Sequence, residues 1–99
     1  MAVLMTLEFE ASLDEYDKVN EKLGTDRPAG LIAHTGVDLN GKMKVVDIWE
    51  SAEDFQNFMN GALGTAVTEV LGAPEAGVAP PAPQIEDIHD LEVWELHTL

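Results

Sequence analysis

Apolar and polar positions alternate from residue 2 to residue 10. Val3, Met5, Leu7 and Phe9 fall on one side, and Leu4, Thr6, Glu8 and Glu10 on the other. A period of two predicts a β-strand. The spacing changes at Ser12. Leu13, Tyr16, Val19 (or Asn20) and Leu23 recur at helical intervals, and Glu15 lies three residues after Ser12, the spacing of a capping box. Gly24 is placed to stop this helix in a left-handed turn. TDRPAG (25–30) reads as a loop. Residues 31–38 and 42–50 are strand-like and flank Asn40-Gly41, the strongest short hairpin signal. Ser51 opens a second helix with Asp54 at the capping-box position. Phe55, Phe58, Met59 and Leu63 form its apolar stripe. Gly61 and Gly64 weaken that helix, so a kink or break is expected near Gly64, followed by a short helical turn through TAVTEVLG. Residues 73–83 hold four prolines and read as an exposed connector. QIEDIHDLEVWELHTL alternates again. It predicts a fourth strand with Ile85, Asp87, His89, Leu91 and Val93 on one face and Ile88, Trp94 and Leu96 on the other.

The order β-α-β-β-α-β is the ferredoxin-like α+β plan, an antiparallel sheet with two helices on one face. At 99 residues and 45% apolar content, a single domain spanning 1–99 is expected. Both parities of the first three strands are partly apolar, so the sheet face away from the helices calls for a cover. A second copy related by two-fold symmetry is the economical one, which predicts a homodimer.

Charge narrows the partners. Nineteen acids against five bases give a formal charge of -14. All five bases (Lys18, Lys22, Arg27, Lys42 and Lys44) fall before residue 45. Such a surface repels phosphate backbones and anionic lipid, which argues against nucleic-acid and membrane-surface roles. The segment MAVLMTLEFE holds no basic residue and carries Glu8 and Glu10, unlike a signal peptide, and no apolar run approaches the ~20 residues of a membrane span. A cytoplasmic protein is expected. With no cysteine in the chain, thiolate chemistry is excluded.

The stretch VVDIWESAEDFQNFM resembles the motif of the dimeric α+β barrel superfamily, the antibiotic biosynthesis monooxygenase-like proteins. There, a strand ends in a Trp-Glu-Ser-type turn and leads into a helix with spaced phenylalanines. The matching positions are Trp49, Glu50, Ser51, Phe55 and Phe58, and the GLIAHTG strand and element order also fit. The resemblance implies a homodimer whose two sheets face each other, with a small pocket in each subunit. It also implies activities such as cofactor-independent oxygenation of aromatic polyketides, haem degradation, isomerisation or decarboxylation. The haem-degrading branch carries a histidine on its second long helix and an asparagine on its first strand. Here SAEDFQNFMNGALGTAVTEVLG has no histidine and the first strand offers Thr6 instead, which argues against haem.

The hairpin yields a candidate site. With a two-residue loop, Leu39 pairs with Lys42, Gly36 faces Val45, His34 faces Asp47 and Ile32 faces Trp49. Opposed side chains lie ~5 Å apart on one face. A carboxylate beside an imidazole fixes its tautomer and favours its protonated form, as suits a general acid or base. His34 and Asp47 are therefore the candidate catalytic pair, with Trp49 as a stacking platform and Gly36 leaving room beside them. The same residues also suit a structural cross-strand pair. Tyr16, Thr6, Phe55 and Phe58 are candidate pocket residues, although core packing is the commoner role of such a tyrosine and of such phenylalanines, and Thr6 could merely pack. The histidines (His34, His89 and His97) are dispersed and show no metal-ligand spacing, so no metal is expected. The glycines match no nucleotide-binding pattern, and no cofactor is expected. The expected function is a cofactor-independent monooxygenase or isomerase acting on a hydrophobic cyclic or aromatic metabolite. The alternative is a non-catalytic ligand-binding or structural dimer.

Overall fold

The computed structural model describes residues 1–72 and 82–94. Strand β1 (Val3–Glu10) leads into helix α1 (Leu13–Leu23), then β2 (Leu31–Asp38) and β3 (Lys42–Trp49). Helix α2 (Ala52–Phe58) passes through a π-helical turn (Met59–Leu63) into α3 (Gly64–Leu71), and β4 (Gln84–Asp87) completes the sheet. The strand order is β2-β3-β1-β4, and every neighbouring pair is antiparallel. This is the ferredoxin-like α+β arrangement expected from the element order.

Local chemistry accounts for the element ends. Ser12 Oγ accepts from the Glu15 amide while Glu15 Oε1 accepts from the Ser12 amide, a complete capping box. Ser51 Oγ caps α2 through the Asp54 amide. The Leu39 amide donates to the Lys42 carbonyl at 2.8 Å, closing a two-residue loop. Asn40 and Gly41 both take positive φ there (61° and 97°), the combination a tight hairpin needs.

β3 shows the period of two most clearly. Met43, Val45, Asp47 and Trp49 are buried, while Lys44, Val46 and Ile48 are half-buried. The buried parity faces the helices. Val3, Met5, Val45, Trp49 and Phe55 form the core, with Tyr16, Leu31, Phe58, Met59 and Ile85 packed on it. The other parity (Leu4, Thr6, Val46 and Ile48) forms the opposite sheet face.

Four expectations are corrected. The break in the second helix centres on Gly61 (φ -107°, ψ -110°) rather than Gly64. Ile32 does not face Trp49. A bulge at Ile32 shifts the register so that Leu31 does, while His34 still faces Asp47 and Gly36 faces Val45. The fourth strand ends at Asp87. That residue pairs with Val3, and the Ile88 amide makes one further bond to the Ala2 carbonyl, so β1 has no length left to pair with the following residues. Val93 (76% exposed) and Trp94 (82%) lie beyond the strand and are exposed. Leu13, expected on the apolar stripe of α1, is exposed. Most of the connector (73–81), together with Leu96 and His97, lies outside the described residues.

Candidate functional site

β3 presents Asp47 to the helix side of the sheet, between Val45 and Trp49. Its carboxylate is buried (5% exposed) yet fully partnered. Oδ1 lies 2.6 Å from His34 Nδ1 on β2, and Oδ2 accepts the Trp49 indole N–H at 3.3 Å. A carboxylate only accepts, so His34 Nδ1 carries the proton and donates. That leaves Nε2 of the neutral ring as an acceptor, and the Tyr16 hydroxyl on α1 lies 2.8 Å from it. The result is one line of hydrogen bonds, Tyr16–His34–Asp47–Trp49, joining a helix to two strands.

Exposure rises from Trp49 to His34 and falls again at Tyr16. Trp49 is fully buried and Asp47 nearly so. The His34 side chain is the most exposed member at 41%, and Tyr16, at the helix end of the line, is half-buried. The hydrogen bond to Asp47 raises the pKa of His34 above 6.5. Burial works against the shift, and the negative charge of Asp47 adds to it. No buried side-chain polar atom among the described residues lacks a partner. The arrangement holds a proton at His34 Nδ1 and leaves Nε2, beside Tyr16, as the ring atom with a lone pair.

The structure brings His34, Asp47, Trp49 and Tyr16 together. Trp49 sits deeper than a stacking platform would. Phe55 meets it edge-on, with ring centroids 5.6 Å apart, and Phe58 lies tilted against it at 5.5 Å. Its indole N–H is spent on Asp47. Phe55 is fully buried core. Phe58 lines a shallow cleft of ≈ 270 Å³ with Pro28, Ala29, Asp54, Asn57 and Ala62. Thr6 pairs with Val46, one step out of phase with Met5 and Asp47, and so lies on the sheet face away from His34. A second cleft of ≈ 410 Å³ lies between α1 and α3, lined by Lys18, Glu21, Lys22, Glu69 and Val70. Neither cleft includes His34 in its lining. Among the described residues no three acidic or histidine side chains cluster to hold a metal, and no helix is long and apolar enough to cross a membrane.

What sequence reasoning missed is the Tyr16–His34 contact. Both residues were candidates, but the packing angle that joins them is a property of α1 on the sheet. The one signal was Gly36, a glycine within a strand, which marks a close approach.

No family model and no curated protein matches the sequence. Solved structures do match in shape. A protein of unknown function from Nitrosomonas europaea superposes with a TM-score of 0.67 at 13% identity, covering 93% of each chain. A Deinococcus radiodurans protein named as a candidate antibiotic biosynthesis monooxygenase gives 0.59 at 12% identity, over 96% of this chain and 99% of that one. The haem degrader MhuD from Mycobacterium tuberculosis, solved with two haems in its active site, gives 0.51 at 20% identity, over 94% and 99%. The chain therefore has the ferredoxin-like α+β fold of the antibiotic biosynthesis monooxygenase-like proteins.

Proposed function

We propose that the protein is a small cofactor-independent enzyme, an oxygenase or isomerase, that deprotonates a hydrophobic cyclic or aromatic metabolite with His34. The observation that carries this reading is the Tyr16–His34–Asp47 line, with its buried end charged and its imidazole reaching solvent. His34 is the base, and Asp47 fixes its tautomer and stabilises the imidazolium. Trp49 holds the second carboxylate oxygen, and Tyr16 meets the ligand. An electron-rich phenol, once deprotonated, reacts with oxygen itself. The protein then needs to supply only a base and a shaped, dry site. Phe58 packs on Trp49 at the buried end of the line and also lines the separate cleft.

Haem does not suit these residues. The three helices carry no histidine, and both nitrogens of His34 are committed, to Asp47 and Tyr16.

The same reading includes a homodimer. Leu4, Val46 and Ile48 form a half-buried apolar strip on the sheet face opposite the helices, and a second sheet packed there completes the barrel. A non-catalytic ligand-binding role has its own support in the cleft lined by Pro28, Asn57 and Phe58, which lies apart from His34.

Oxygen uptake and product formation with a panel of hydroquinones and polycyclic phenols, without metal or flavin, test the activity. Wild type accelerates turnover of at least one substrate, and His34→Ala falls to background while remaining folded. Equal rates for the two proteins across the panel sink the enzymatic reading. Retained ligand in a native mass spectrum, lost on Phe58→Ala, then favours the binding role.

A further inference from the structure

The geometry points to Gly36 as the positioning residue of this site: its missing side chain is the slot in which the Tyr16 hydroxyl seats on His34, so that Tyr16 is the end of the line that a ligand meets. Gly36 lies two residues beyond His34 on β2, on the same face, opposite Val45. A Cβ at this position would lie 2.5 Å from Tyr16 Oη, 2.9 Å from Cζ and 3.2 Å from Cε1. Side-chain carbons do not approach so closely, so any other residue at 36 displaces the phenol. The backbone does not require glycine here, because Gly36 is not among the residues with positive φ. Glycine within a strand weakens it. What its absent side chain provides is the space that Tyr16 fills.

The slot orients the hydroxyl as well as admitting it. Asp47 holds the proton of His34 on Nδ1, so Tyr16 directs its own proton inward to Nε2. The phenol oxygen then turns its lone pairs outward. The ligand group that meets it has to be a donor, an acidic hydroxyl such as a phenol or enol. Its proton passes to Tyr16 Oη as the Tyr16 proton passes to His34 Nε2. The ligand oxygen keeps the bonding pair as its anion, and the positive charge rests on His34 beside Asp47. This step needs no oxidant or reductant. The ligand class rests on the acid–base reading above, whereas the slot rests on geometry alone.

The slot is tested on the full chain without ligand, by NMR across the titration of His34. Tyr16 is the only tyrosine, so its ring resonances are unambiguous. In wild type they step at the pH at which the His34 ring titrates. In Gly36→Ala the step is lost, and the His34 midpoint moves to the value found in Tyr16→Phe. A step of undiminished size in Gly36→Ala, or none in wild type, overturns the proposal. Should Gly36→Ala fold poorly, thermal melts supply the second test. The added methyl lowers Tm when Tyr16 is present and is tolerated in a Tyr16→Ala background, and equal losses in both backgrounds overturn the slot. These readouts involve no substrate. Failed turnover therefore refutes the activity and leaves the slot standing, while a persistent step does the reverse.

Discussion

Asp47 is the residue on which its neighbours depend, because among the described residues it is the buried charge and its side chain is held by two partners, His34 and Trp49. Replacing it with Asn removes both the strong hydrogen bond and the negative charge that favour the imidazolium. Burial, which lowers the pKa of His34, then acts unopposed. The His34 midpoint, read by NMR, should lie above 6.5 in wild type and at or below 6.5 in Asp47→Asn. A raised folded pKa also has a stability consequence. The contribution of the protonated pair is fully present below the unfolded value of about 6.5 and is lost as pH rises through the higher folded value. The urea midpoint of wild type should therefore exceed that of His34→Gln most clearly near pH 5–6, with the gap closing at higher pH. Phe55 differs in kind. It is fully buried against Trp49, and Phe55→Ala should cost about 3–5 kcal/mol in denaturant unfolding, much of the stability of a domain this small. At this scale the His34–Asp47 pair was legible in the sequence. The Asn40-Gly41 loop sets the register, and counting back from it places the two residues opposite each other. The bulge at Ile32 was not legible, because it lies beyond the last residue that the loop alone constrains.

At the scale of elements, short polar signals acted as their chemistry predicts. The capping box of α1 and the cap of α2 both formed. Ser12→Ala should lower stability by about 1 kcal/mol, measured by urea unfolding. The hairpin depends on left-handed backbone at Gly41. Gly41→Ala should therefore cost about 1–2 kcal/mol and leave the His34–Asp47 pairing intact. Element ends that depend on a partner behaved differently. Alternation continues along the tail well beyond Asp87, but the strand stops where β1 stops offering hydrogen bonds. The second helix shows the same division. Its two glycines announced a weak point, and the π-helical turn settled on Gly61, where the backbone leaves the helical region.

At the scale of the whole molecule, the unanswered surface is the sheet face that carries Leu4, Val46 and Ile48. If a second copy covers it, light scattering behind size exclusion should give twice the chain mass. Ile48→Glu should then yield a monomer, because a charge on each side of a dry two-fold seam goes unpaired. A wild-type monomer at micromolar concentration would remove the dimer from the proposed function. The His34 line lies on the opposite, helix-covered face, so the monomeric variant should retain the His34 titration.

The chain by itself determined its periodicities, its caps, its hairpin and hence the order of elements, since each depends on residues a few positions apart. From the hairpin it also determined the His34–Asp47 pair. The tertiary structure alone decided that this pair faces the helices, that Trp49 lies beneath Phe55 and Phe58, and that Thr6 belongs to the other face. It alone seated Tyr16 on His34 over Gly36. These contacts join elements distant in sequence. They are set by how side chains of particular volumes pack between a helix and a twisted sheet, and no local spacing encodes that fit.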